Sequence, residues 1–271
     1  VSEFQRFVPA SARAVVDVDG PALLSGQLLA RFAERLEAPV LELSARRGAA
    51  LVGFLRACKH EDALAVVSVD GAVRRRSPRA PGAVVEGILT AAAEAAYTGP
   101  LVLVARDIEP EYSLTVPDDV RLRERIARDV EAGFTSIGVA AGALAEIDEW
   151  SRVTPMLEEL DLGLELEVGP DDDAALLLAQ LDDLGLPLSA VRGASPFDEI
   201  GSAALVVDVK DLTDGMPLAL RVCIDAVIDD IGDDDVVEAR AWMATTRALQ
   251  KLRARDTATR LEDVLGELRN G

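Results

Sequence analysis

One histidine, two cysteines and an aromatic content of 4% are what this 271-residue chain has least of. Each scarcity excludes something. Cys58 and Cys223 are too few for a disulfide framework and no CxxC pair occurs, so both read as buried free thiols. With so few aromatics, the core has to be built from small aliphatics, chiefly Ala, Leu and Val. Basic residues are short as well: 28 Lys and Arg face 48 Asp and Glu, a formal charge of -20, which argues against binding to nucleic-acid backbone or to an anionic membrane surface. No apolar run approaches the roughly 18 to 20 residues that a spanning helix needs. The first residues, VSEFQRFVPASARAVV, lack a basic region followed by a hydrophobic signal core. The expectation is a soluble cytoplasmic protein. Nucleotide-type phosphate loops are missing too, since no GxGxxG follows the first strand-like run and no GxxxxGK followed by Ser or Thr occurs.

What is present is a rhythm. Hydrophobic residues make up 49% of the chain, enough for one large core. The stretch VEAGFTSIGVAAG, residues 130–142, shows the repeating unit. An amphipathic helix from about Pro117 closes over Glu131, Ala132 and Gly133, with Gly133 where a left-handed cap is wanted, and Phe134 to Val139 reads as a short buried strand. Further strand-like runs lie at 39–43, 63–69, 100–105, 163–168, 187–191 and 204–209, while PLALRVCI at 217–224 reads as a strand or as the start of a helix. Helices are expected at Pro21 to Leu36, about 48–59, about 82–97, 234–252 and 257–269, with a long loop, DGAVRRRSPRAP, over 70–81.

Counting from 39–43 to 217–224 gives eight strands; counting from AVVDVD at 14–19 to 204–209 also gives eight. The expected fold is therefore α/β, a (β/α)8 TIM barrel forming a single domain, with a doubly wound open sheet as the competitor. Residues 1–38 are expected to form an N-terminal segment with an extra helix leading into the barrel, and 39–271 the barrel with its C-terminal helices. Trp242, Met243, Leu249 and Leu252 give the penultimate helix an apolar face that serves either the core or an oligomer contact.

In such a barrel the chemistry sits on the loops that follow the strands. Those loops are rich in cations. Ser44, Arg46 and Arg47 follow the first strand; Asp70, Arg74, Arg75, Arg76 and Arg79 follow the second; Arg106, Asp107 and Glu109 follow the third. Arg192 comes after 187–191 and Lys210 after 204–209. Cations gathered in so acidic a chain repel one another unless an anion or carboxylates sit among them, so Arg46, Arg47, Arg106 and Arg192 point to an anion or phosphate site. The alternative is that they pair with Asp107, Glu109, Glu165 or Glu167, or project into water.

The residues also resemble a known family. AGFTSIGVAAG, at 132–142, resembles the AGF(T/S)SVMIDGS signature of class II ketose-bisphosphate aldolases, and GLELEVG at 163–169 resembles their VEAELG strand. PLSAVRGASPFDEI at 187–200 is similar to the family's PLVLHGGSG stretch, and VLELSARRGAALVGFLRACKHEDALAVVSVDG at 40–71 to its first two units. LVLVARDIEP at 101–110 stands where the family has a strand ending in Asp-His, most like the GGDHLGP of the tagatose-bisphosphate aldolase accessory subunits. The resemblance spans about residues 39–225. It implies a barrel for a phosphorylated ketose, with Gly193 and Ser195 in the loop that meets phosphate.

It also implies a divalent metal, usually zinc, held mainly by three histidines and polarising the ketose carbonyl. There the chain departs. His60 lies just before a strand, at the wrong end of a barrel; Arg106 and Asp107 stand at the Asp-His position, and Arg192 where the HGGSG histidine belongs. Ala140 and Gly142 replace the Asp and Ser of the signature. Zinc is not expected.

Three functions follow. The favoured one is a degenerate class II aldolase-like barrel, a non-catalytic or regulatory subunit that retains a sugar-phosphate pocket, as the accessory subunits of that family imply. The second is an active carbon-carbon lyase of aldolase type on a phosphorylated sugar. It would use Lys210 as a Schiff-base nucleophile, although Asp208 and Asp211 oppose the low pKa this needs. Otherwise it would use Mg2+ held by Asp107, Glu165 and Asp208, with Asp107 and Glu167 as the working carboxylates. Alternation along a strand puts Glu165 and Glu167 on one side. The third is an interaction protein whose acidic helix starts, GPDDDAALL at 169–177 and IDDIGDDDVVEAR at 228–240, meet a basic partner. Carboxylates at helix N-termini already have a bland explanation, a stabilisation of roughly 0.3 to 1 kcal/mol each. The expected partners are thus a phosphorylated small molecule and a partner subunit or second copy, with no nucleic acid and no membrane; no cofactor beyond Mg2+ is indicated.

Overall fold

Short apolar runs without polar alternation need cover on both faces, which a parallel sheet receives from helices. In the computed structural model, which describes residues 3–17, 19–32, 38–44, 48–74, 80–106, 118–140, 147–168, 188–193, 219–224, 228 and 231–270, these runs form one parallel sheet. Its strands are β1 (Ala22–Leu23), β2 (Val40–Ser44), β3 (Ala65–Val69), β4 (Pro100–Ala105), β5 (Ser136–Ala140), β6 (Gly163–Val168), β7 (Leu188–Gly193) and β8 (Ala219–Cys223). β2 to β8 pair in sequence order, each with the next, and β8 pairs also with β2. Such pairing curls the sheet, giving it an inner face and an outer face.

The helices are α1 (Gly26–Arg31), α2 (Gly48–His60), α3 (Gly71–Arg74), α4 (Ala80–Glu94), α5 (Asp118–Glu131), α6 (Ile147–Glu159), α7 (Asp234–Lys251) and α8 (Thr257–Asn270), after a 3-10 turn at Glu3–Phe7. α5 shows why they cover the sheet. Leu122, Ile126 and Val130 recur at intervals of four and are buried, each contributing about 1.5 to 3 kcal/mol. The helix ends as the sequence requires: the Phe134 amide donates to the Asp129 carbonyl, the Gly133 amide to that of Val130, and Gly133 takes a φ of 109°. A side chain there would be strained, and its Cβ would lie 2.7 Å from Val15 Cγ2.

Three expectations are corrected. Pro21 to Leu36 is not one helix: Ala22 and Leu23 pair with Pro100 and Leu101 as β1, and α1 starts only after Ser25, whose hydroxyl accepts the Gln27 amide as an N-cap. Beyond the start of β4, the same edge of that strand passes to β5, with Val104 opposite Ser136. Residues 14–17 form no strand: they leave a turn, and their polar groups pair locally, Val15 N–H with the Ala12 carbonyl and Gly20 N–H with that of Asp17. This removes the strand count that began there. The loop over 70–81 is interrupted by α3, while 217–224 resolves as β8; the run at 204–209 lies outside the described residues.

Candidate functional site

Residues opposite one another in a parallel pair project to the same side of the sheet. Ser44 stands opposite Ser68, Ser68 opposite Val104, Val104 opposite Ser136; Gly138 stands opposite Glu165, and Glu42 opposite both Val66 and Cys223. Glu42, Ser44, Ser68, Glu165 and Cys223 therefore share the inner face. Two residues past Ser68 and Val104 come Asp70 and Arg106, at the carboxyl edge. There the side chains meet: Arg106 Nη1 donates to Asp70 Oδ1 at 3.2 Å and to Ser44 Oγ at 3.5 Å, and the Ser44 and Ser68 hydroxyls lie 3.4 Å apart. The Arg106 side chain is 12% exposed. A guanidinium so placed offers fork-shaped donors at the mouth of the curled sheet.

Below it the inner face is acidic. Glu42 and Glu165 are 0% and 2% exposed, unusual for carboxylates, which burial penalises unless cations or hydrogen bonds attend them. Both cysteines are buried outside any disulfide, and burial pushes the Cys58 thiol up, so it remains an inert thiol.

Arg74, counted among the loop cations, is not available to a ligand. The Asp70 carbonyl accepts the Val73 and Arg74 amides, turning the chain sharply into α3 and tucking Arg74 beneath the strand ends. There Arg74 is buried and ion-paired with the buried Asp129 of α5. Burial pushes the Asp129 carboxyl up, and Arg74 opposes that shift. The single histidine behaves as expected: His60 ends α2 at the amino-terminal side of β3, its side chain 62% exposed, 3.2 Å from Glu61 and edge-on to Trp242. With one histidine in the chain, a centre of several imidazoles cannot be built from it. Among the described residues no three His, Cys, Asp or Glu side chains gather as a metal group.

Of the residues singled out from sequence, Arg106 and Glu165 lie in the site, at its mouth and on its inner face. Glu167, Arg192 and Gly193 are placed by backbone: Glu167 opposite Arg192, Val168 opposite Gly193, and Arg192 also opposite Arg221. Arg46, Arg47, Asp107, Ser195, Asp208 and Lys210 lie outside the described residues, as do Arg75, Arg76 and Arg79. Sequence reasoning passed over Glu42, Ser68 and Asp129. The signal for Glu42 was there, a lone acid inside VLELS with the same alternation as GLELE; Asp129 had none, because an acid on an amphipathic helix ordinarily faces water.

The sequence matches no protein-family model and no curated protein. The fold, in contrast, is similar to that of solved structures. The YdjI aldolase from Escherichia coli K12 superposes with a TM-score of 0.60 at 12% identity, over 87% of this chain and 99% of that one. Fructose-bisphosphate aldolase (Fba) from Campylobacter jejuni superposes with a TM-score of 0.57 at 12% identity, over 90% and 99%. At this identity the likeness is one of fold: a curled parallel sheet clad in helices, as in those aldolases.

Proposed function

We propose that the chain is a degenerate class II aldolase-like barrel that binds a phosphorylated sugar at its carboxyl edge and serves as a non-catalytic or regulatory subunit. The observation that carries this reading is Arg106, a nearly buried guanidinium at the end of β4, set over Ser44 and Ser68 and steadied by Asp70. Arginine's planar fork suits phosphate oxygens, and a water-poor setting strengthens the bond. Arg46, Arg47, Arg192, Gly193 and Ser195 are assigned to the same pocket. On this reading residues 1–38 lead in, and 39–271 form the barrel with its terminal helices. The non-catalytic assignment follows from His60: the chain's one imidazole is at the far end of the sheet from Arg106.

The test is thermal unfolding at low salt with inorganic phosphate and a panel of sugar phosphates, each with and without Mg2+. A ligand at about 100 times its Kd adds roughly 2.7 kcal/mol, so a rise of several degrees is expected, lost in Arg106→Ala. No rise with any of them would sink the anion pocket. Turnover of a sugar phosphate by the isolated chain would overturn the non-catalytic half of the reading.

A second reading draws support from Glu165, a carboxylate buried on the inner face. It is an active lyase on a phosphorylated sugar, with Mg2+ held by Glu165, Asp107 and Asp208 and with Glu167 assisting, or with a Schiff base at Lys210. Stabilisation by Mg2+ that Glu165→Gln removes, accompanied by turnover, would favour it.

A further inference from the structure

Arg74 opens a run of three arginines, and such a run ordinarily projects into water. Instead Arg74 is 4% exposed, and its guanidinium is engaged on every side. Nε donates to the Val69 carbonyl at 3.1 Å, Nη2 to the Arg106 carbonyl and Nη1 to Asp129 Oδ2, while Cζ lies 5.8 Å from the centre of the Phe134 ring. The Val69 carbonyl also accepts the Arg106 amide at 3.0 Å. Arg74 therefore grips both peptide groups of Arg106, one directly and the other through their shared acceptor.

The side chain of Arg106 has a prepared path as well. Gly138 on β5 faces it: a Cβ at that position would lie 3.2 Å from Arg106 Cγ and 3.5 Å from its Cα. The backbone is held from beneath, and the stem lies in space that a glycine leaves open.

We infer that Arg74 is a positioning residue for the anion site, clamping the end of β4 so that Arg106 presents its guanidinium along the carboxyl edge. Asp129 is the clamp's counter-ion. It carries the clamp to α5, so that three elements of the fold, α3, β4 and α5, determine where one ligand-facing arginine sits. The inference rests on the anion-binding reading above. The geometry asks for arginine in particular: two carbonyls and a carboxylate lie in different directions, and a planar fork with five N–H donors serves all three, whereas a lysine ammonium has one nitrogen.

The test is calorimetric titration of the full chain with inorganic phosphate, beside the thermal midpoint of each variant. Arg74→Lys keeps the charge and removes the fork, so phosphate affinity is expected to fall about tenfold or more. Gly138→Ala, which disturbs only the stem of Arg106, is expected to weaken phosphate binding with little change in the midpoint. A purely structural Arg74 would give a lowered midpoint in Arg74→Lys with wild-type affinity, and that result overturns the clamp. Should Arg74→Lys fail to fold, Gly138→Ala decides, and unchanged affinity there overturns it equally. Absence of phosphate binding by the wild-type chain would instead remove the anion reading itself, and the clamp with it.

Discussion

Asp129 meets Arg74 in a site closed to water, and burial pushes its carboxyl above the usual range although Arg74, and after it Arg125 and Arg128, pull it down. A carboxyl raised in the folded state binds its proton more tightly there than in the unfolded chain. Its favourable contribution is present at low pH and is lost as pH rises through the folded value. Arg74→Met removes the main opposing charge, so the buried carboxylate is left uncompensated near neutral pH, a cost of about 3 to 5 kcal/mol. That cost should shrink toward the ordinary carboxylate range as Asp129 takes up a proton. Urea denaturation of wild type and variant at about pH 7 and about pH 4.5 measures it; an equal cost at both would show that the Asp129 charge is not the cause. None of this was legible in the sequence. Arg74, Arg75 and Arg76 look alike, and the partner that distinguishes Arg74 lies 55 residues away. Arg106 was legible because it directly follows the clearest apolar run, so its place at the strand end needs no distant information.

At the scale of elements, what could be read was what local pattern determines. The continuous apolar run PLVLVA is β4, and the periodicity of residues 118–131 with its terminal glycine is α5. Where an apolar run admits two structures, pairing decided: Ala22 and Leu23 joined β4 because its lower edge is not reached by β5. α6 escaped notice because Pro155 interrupts its pattern. Packing between helices was equally hidden. α7 lays Val237, Ala241, Thr245, Ala248 and Leu249 into the core, and α2 meets it through Gly53. A Cβ on Gly53 would overlap the Glu238 carbonyl oxygen and lie 2.9 Å from Ala241 Cβ. Gly53→Ala gains roughly 0.8 to 1 kcal/mol of helix propensity, but the obstacle is backbone and one helix has to move, at about 1 to 3 kcal/mol or more. The expected outcome is a net loss of stability in urea. A stabilised variant would mean that the α2–α7 contact is looser than drawn.

For the molecule as a whole, the alternation of strands and helices was enough to anticipate a parallel sheet clad in helices, because burying both faces of such strands leaves few architectures. The site was less accessible, since it depends on which side chains converge across β2, β3 and β4. Net charge is the whole-molecule property with the clearest consequence. At -20, self-repulsion opposes the compact state, and salt relieves it. Raising NaCl from low millimolar to about 0.15 M shortens the screening length to about 8 Å. At neutral pH this should raise Tm by a few degrees, since about 1 kcal/mol corresponds to roughly 2 to 4 °C in a chain approaching this size. Near the isoelectric point of about 4.4 the net charge is gone, and only attractive pairs such as Arg56–Glu238 remain to be screened. There the same salt should leave Tm unchanged or lower it. Thermal unfolding at both pH values, with and without salt, separates the two contributions. A Tm that falls with salt at neutral pH would mean that local ion pairs, Arg74–Asp129 and Arg106–Asp70 among them, outweigh the repulsion of the molecule as a whole.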